Sequence, residues 1–150
     1  KLFEAASQIG AILGKASPEV EQALAEYGMR LGTAFQLIDD VLDYSGAEAE
    51  TGKHLGDDLA EGKPTLPLIY VMQNGTPAQA DCVRKAIENG GREDFPAVLA
   101  AIRATNALEH TKRKAEAEAE RAAAAIQCLP ASTYKDSLLE LSSFAVARSF

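Results

Sequence analysis

The chain has 150 residues, of which 47% are hydrophobic and 25% charged, which is ordinary for one globular domain. Its net charge of −7 argues against nucleic acid as a partner, because nucleic-acid recognition needs a basic surface. No apolar run approaches the length of about 18 residues that a transmembrane segment needs, and no signal peptide is recognisable, so the expected location is cytoplasmic. Cys82 and Cys128 lack CxxC spacing and are expected to be reduced thiols.

Two amphipathic helices are predicted first. The first runs from Leu2 to about Lys15, and Ser17 followed by Pro18 is typical of the start of the second, which continues to about Tyr44. The apolar residues of the first helix that we expect to face inward are Leu2, Ala5, Ala6, Ile9, Ile12 and Leu13. Those of the second helix that we expect to be buried are Val20, Leu24, Tyr27, Leu31, Ala34, Phe35, Ile38, Val41 and Leu42.

The segment 45–64 contains four glycines and no sustained helical period, so we predict a long loop with at most one short turn. Five helices are predicted after it, at 65–73, 76–89, 94–105, 106–128 and from Ser132 onward. In the last of them the residues expected to face inward are Leu138, Leu141, Phe144 and Ala145. Because no segment has the alternating period of a strand, the predicted fold is all-α with about seven helices.

The second helix has an acidic face. Gln36, Asp39, Asp40 and Asp43 are spaced i, i+3, i+4 and i+7, so they share one side of the helix. Like charges at this spacing repel, Asp is a poor helix former, and a helix C-terminus disfavours negative charge. We therefore favour a divalent cation over a solvated acidic face, and Mg²⁺ is the cation that takes one or two carboxylates together with substrate phosphate.

The acidic residues continue beyond this helix. Between Gln36 and Glu61 there are eight acidic residues and a single basic one, Lys53. A polyanionic substrate is therefore expected to bind here only through metal ions.

The chain resembles the trans-isoprenyl diphosphate synthase (polyprenyl synthetase) family over almost its full length. The family's second aspartate-rich motif is similar to Tyr27-Gly28-x-x-Leu31-Gly32-x-Ala34-Phe35-Gln36-x-x-Asp39-Asp40-x-x-Asp43. A second block follows in the expected order and spacing, Gly52-Lys53-x-x-Gly56-x-Asp58-Leu59-x-x-Gly62-Lys63-x-Thr65-Leu66-Pro67. A single DDxxD is common by chance, whereas two linked blocks are specific.

The resemblance implies an isoprenoid-synthase-type helical bundle that condenses isopentenyl diphosphate with an allylic diphosphate, using Mg²⁺. The residues it implies for magnesium are Asp39, Asp40 and Asp43. Those it implies for the substrate are Gln36, Lys53 and Lys63. Of all these, Asp39 and Lys53 are expected to be catalytic, because metal and cationic side chains offset the charge that develops on departing diphosphate.

Other positions have alternative interpretations. Gly28 and Gly32 lie on the side of the acidic face, where they can leave a furrow for the hydrocarbon chain, permit close helix packing, or do both. Arg148 either approaches the diphosphate or has a surface or packing role. Asp58, with its acidic neighbours, is expected to be loop structure with a minor role around the metal.

The family's first aspartate-rich motif and the arginine pair after it have no match here. Residues 1–150 are therefore expected to be the C-terminal portion of a single polyprenyl synthetase domain, inactive when isolated. The resemblance also implies a homodimer and, from the block pattern, a long-chain product of the octaprenyl type. The alternatives are a non-catalytic helical subunit or interaction module of a prenyl synthase complex, an unrelated bundle that binds a basic partner, and a terpene cyclase.

Overall fold

The computed structural model describes residues 1–45, 55–90 and 92–148. Within these ranges every regular element is helical, which confirms the predicted all-α class. The elements are α1 (Leu2–Leu13), α2 (Pro18–Ser45), α3 (Asp57–Ala60), α4 (Leu66–Asn74), α5 (Pro77–Asn89), a 3-10 turn (Arg92–Asp94), α6 (Phe95–Ala104), α7 (Ala107–Ala125) and α8 (Thr133–Ala147). None of these helices combines the length and the apolar character that crossing a bilayer requires.

Helix starts follow the predicted local signals. At α5 the Thr76 hydroxyl accepts the Gln79 N–H at 3.3 Å, and the Gln79 side chain accepts the Thr76 N–H at 2.8 Å. This reciprocal pair is a capping box, and Gly90 in the left-handed region ends the helix. The Ser132 hydroxyl likewise accepts the Lys135 N–H at 3.2 Å at the start of α8.

The described residues divide into two compact units. The first contains Lys1–Ile38 and Lys114–Arg148, and its core is a cluster around Tyr27, Leu31 and Ile126. The Tyr27 hydroxyl donates to the Leu138 carbonyl at 2.8 Å, so this buried polar group is satisfied.

The second unit contains Asp39–Arg113. Its core contains buried side chains from α3, α4, α5 and α6, from the last turn of α2 and from the start of α7: Tyr44, Leu59, Leu68, Val71, Val83, Ala86, Val98, Ala101, Ile102 and Ala107. Leu59 is fully buried, so the short helix α3 is anchored in this core although its other residues are partly exposed.

The expected inward face of α1 is wrong. Leu2 and Leu13 are 81% and 78% exposed, and Ile9 and Ile12 are also exposed. The close approach to α2 is made instead by Phe3 and Ser7, because Gly28 lets the backbone of Phe3 come near, and the buried residue of α1 is Ala11. The same correction applies in α8, where Leu141 and Phe144 are exposed while Ala145 is buried.

Candidate functional site

The three predicted carboxylates lie at the C-terminal end of α2, in the second unit. Asp40 is buried, with 6% exposure, whereas Asp39 and Asp43 are partly buried. Gln36 lies on the same helix, is exposed and belongs to the first unit. The predicted helix is confirmed, and the predicted roles of these residues stay predictions.

Asp43 binds the start of α3 through both carboxylate oxygens. Oδ1 accepts the N–H of Asp57 at 3.2 Å, and Oδ2 accepts the N–H of Asp58 at 3.2 Å. The Asp43 carbonyl also accepts the Gly56 N–H at 3.0 Å. A carboxylate in this position satisfies two N–H groups that have no partner within a helix, so Asp43 joins the end of α2 to α3. Sequence reasoning missed this function of Asp43.

Burial, as the largest cause, and the nearby negative charge of Asp58 together raise the pKa of the Asp43 carboxyl to about 6. The hydrogen bonds from the N–H groups of Asp58 and Asp57 oppose this shift because they favour the charged form. Metal-free Asp43 therefore takes up a proton in mildly acidic solution, whereas a bound cation would favour the carboxylate.

An aromatic contact holds the turn that precedes α3. Gly56 has φ +79°, and a Cβ atom there would lie 2.5 Å from the ring of Phe95. Phe95 stacks on Tyr44 with ring centroids 6.2 Å apart, and the Tyr44 hydroxyl lies 3.4 Å from the Thr65 hydroxyl. Burial raises the pKa of Tyr44, which therefore remains a neutral hydrogen-bonding group. Only glycine suits position 56, because both the backbone conformation and the ring exclude a side chain.

Lys63, a predicted substrate ligand, is in two ion pairs. Its Nζ lies 2.5 Å from Glu61 Oε2 and 3.1 Å from Asp58 Oδ1. Both ion pairs raise the pKa of Lys63, and the hydrogen bond to Glu61 is the largest cause. The amine therefore stays protonated. The short turn predicted in this segment is confirmed as α3. Lys53, the other predicted lysine, lies outside the described residues.

The structure decides between the two interpretations of the glycines. A Cβ at Gly28 would lie 2.4 Å from the Phe3 carbonyl oxygen, and one at Gly32 would lie 3.0 Å from the Phe3 Cβ. The space at both positions is filled by α1, so close helix packing is correct there and the furrow is wrong. Arg148 also packs: its guanidinium lies 3.7 Å from the ring centre of Phe35 and donates to the Phe35 carbonyl at 3.1 Å.

The donor atoms at the end of α2 fit a hard divalent cation in kind, because they are carboxylate oxygens. In the described ranges no group of three or more His, Cys, Asp or Glu side chains is arranged to hold a metal ion. Magnesium commonly uses one or two carboxylates and completes its coordination shell with water and substrate phosphate. These carboxylates therefore suit a magnesium site that is complete only when substrate is bound.

Comparison with known proteins gives a consistent result. The polyprenyl synthetase family model matches residues 1–105. Octaprenyl diphosphate synthase of Escherichia coli K12 is 51% identical over 99% of this chain and 46% of that protein, and the Haemophilus influenzae octaprenyl diphosphate synthase is 48% identical over 100% and 46%.

Among solved structures, the polyprenyl synthase of Caulobacter crescentus CB15, in complex with calcium and isoprenyl diphosphate, matches with a TM-score of 0.88. The two are 40% identical over 98% of this chain and 45% of that one. The chain thus spans less than half the length of these relatives.

Proposed function

Because this chain belongs to the polyprenyl synthetase family, we propose that the protein containing it is a prenyltransferase that condenses isopentenyl diphosphate with an allylic diphosphate. The observation that carries the proposal is the spacing of Asp39, Asp40 and Asp43 along the C-terminal part of α2, in the segment that the family model matches. We propose a product of the octaprenyl type, which the 51% identity to the E. coli octaprenyl diphosphate synthase supports.

The proposed metal ligands are Asp39, Asp40 and Asp43, and the proposed metal is Mg²⁺. Calcium in the Caulobacter relative supports a divalent cation, and a site of few carboxylates completed by substrate phosphate favours magnesium. When bound, the cation offsets negative charge on the leaving diphosphate. Asp43 would then serve twice, since each carboxylate oxygen has a lone pair left after accepting one N–H.

The remaining proposed residues act on the diphosphate. Lys63 and Lys53 bring positive charge to it as its bond to carbon breaks, and Gln36 donates a hydrogen bond. Fixed positive groups are effective here because charge on the leaving group grows toward the transition state. Lys63 stays protonated through its carboxylate partners, so it is ready to exchange them for diphosphate oxygens.

We also propose that residues 1–150 form the C-terminal part of one catalytic domain and that the enzyme is a homodimer. The chain covers 46% of the length of the E. coli relative, which supports its being part of a longer domain. The chain alone is then expected to lack prenyltransferase activity.

The test is Asp39→Ala in the full-length protein that contains this chain, assayed for prenyl transfer. Removing a metal ligand should lower kcat by about a hundredfold or more. Asp81→Ala, at an exposed position on α5, is the matched control and should leave kcat unchanged. Near-normal activity of Asp39→Ala would refute the assignment of Asp39 as a ligand.

A second measurement tests the alternative that the protein is a non-catalytic subunit. Calorimetry of the full-length protein with Mg²⁺ and a non-reacting allylic diphosphate analogue should show metal-dependent binding. Binding without turnover in every preparation, or no binding at all, would argue for the subunit instead.

A further inference from the structure

Lys63 is held by the residue that begins the same turn, Asp58. Its Nζ lies 3.1 Å from the Asp58 carboxylate, and its backbone N–H donates to the Asp58 carbonyl at 2.9 Å. The Gly62 N–H donates to the Leu59 carbonyl at 2.9 Å, with Gly62 at φ +70°. These two backbone bonds form a Schellman motif. Together with the ion pair, they mean that Asp58 binds both the main chain and the side chain of Lys63.

The two carboxylates that contact Lys63 differ in burial. The Asp58 side chain is 18% exposed, whereas that of Glu61 is 61% exposed and that of Lys63 is 56% exposed. An exposed ion pair fixes geometry weakly, because water competes with it and both long side chains lose entropy. The partly buried Asp58 is therefore the partner that determines where the ammonium group lies.

Asp58 is itself fixed from two sides. Its N–H is bound by the Asp43 carboxylate at 3.2 Å, and the next residue, Leu59, is fully buried in the core of the second unit. A chain of contacts thus runs from the end of α2, through Asp43 and Asp58, to the ammonium of Lys63.

We propose that Asp58 is a positioning residue: it holds the Lys63 ammonium, through a turn anchored by Asp43, where a diphosphate can take it over. The role of Lys63 toward diphosphate rests on the proposed function, whereas the positioning itself is a property of this chain. Asp58 acts through Lys63 and has no separate contact with substrate in this proposal.

The first experiment measures the positioning without any activity. The full-length protein that contains this chain is treated with an N-hydroxysuccinimide acetate ester, and peptide mass spectrometry gives the acetylation rate of Lys63 relative to exposed Lys85. Asp58→Asn should raise this ratio by about two- to fivefold, and Glu61→Gln, the matched control, by less than about twofold. Asp58→Glu, which keeps the charge, should restore most of the protection.

Circular dichroism accompanies each variant, since an unfolded chain would expose all lysines equally and leave the ratio near one. If Asp58→Asn does not fold, the comparison of wild type with Glu61→Gln and Asp58→Glu still decides. Equal effects of Asp58→Asn and Glu61→Gln, or a larger effect of Glu61→Gln, would overturn the proposal.

The second experiment is a double-mutant cycle in the full-length protein. Asp58→Asn and Lys63→Ala should each lower kcat by about threefold or more, with a smaller change in KM for the allylic diphosphate, because the Lys63 ammonium offsets charge that grows toward the transition state. The double variant should be no worse than Lys63→Ala, because Asp58 acts through that lysine. Additive effects would overturn the proposal. Altered labelling in a protein without prenyl transfer would refute the proposed function and leave the positioning intact.

Discussion

Alanine at Gly28 is expected to separate α1 from α2. Replacing glycine by alanine inside a helix gains up to about 1 kcal/mol in helix propensity. At Gly28, however, the new Cβ would lie 2.4 Å from the Phe3 carbonyl oxygen and 2.6 Å from the Ser7 hydroxyl. Because a backbone carbonyl cannot turn aside, relieving this clash should cost about 1–3 kcal/mol. We expect the variant to be destabilised by up to about 2 kcal/mol.

Gly10, on α1, provides the matched control. No heavy atom outside its own helix lies within 4 Å of a Cβ built there, so Gly10→Ala should stabilise the chain by about 0.5–1 kcal/mol. Gly32→Ala should fall between the two, because its Cβ would meet the Phe3 side chain at 3.0 Å and a side chain can shift.

Urea unfolding followed by circular dichroism measures the three variants against wild type. The expected order of stability is Gly10→Ala, then Gly32→Ala, then Gly28→Ala. A gain at Gly28 as large as the gain at Gly10 would refute the conclusion that this glycine serves helix packing.

Three other substitutions test single contacts. Tyr27→Phe removes the hydroxyl that binds the Leu138 carbonyl at 2.8 Å and should lower the free energy of unfolding by about 1 kcal/mol in urea titrations. In EDTA, protonated Asp43 stabilises the fold, since its pKa is raised to about 6 from an ordinary value near 4. The free energy of unfolding should therefore decrease as pH rises from 4 to 6. Asp43→Asn should reduce this dependence on pH, and an unchanged dependence would contradict the raised pKa of Asp43. Gly56→Ala should cost about 2 kcal/mol or more, because it combines left-handed backbone with the Phe95 ring at 2.5 Å, and a stability equal to wild type would show that the turn can rearrange.

The helices could be predicted because their signals are local. The pairs Ser17-Pro18 and Thr76-Pro77 mark starts, and the capping residues act within three positions of one another. The apolar period of α2 correctly predicts Tyr27, Leu31, Ala34 and Ile38 as buried. It is wrong for Phe35, which is 36% exposed.

The errors and omissions concern contacts between distant positions. The sequence predicts that the most apolar side of α1 is buried. In the structure, the side of α1 that faces α2 is the side whose backbone can approach Gly28 closely. The contact of Asp43 with α3 joins residues 14 and 15 positions apart across a glycine-rich segment, and no periodicity indicates it. The contact of Arg148 with Phe35 joins residues 113 positions apart, and periodicity does not indicate it either.

The exposed side of α1 affects how the chain has to be handled in solution. Leu2, Ile9 and Leu13 form an open aliphatic strip, and such strips attract one another when chains meet. The charge of −7 keeps molecules apart only while salt does not screen it, and the screening length falls to about 10 Å at 0.1 M. Buffers of low ionic strength should therefore keep the chain monodisperse for longer, whereas added salt should promote aggregation.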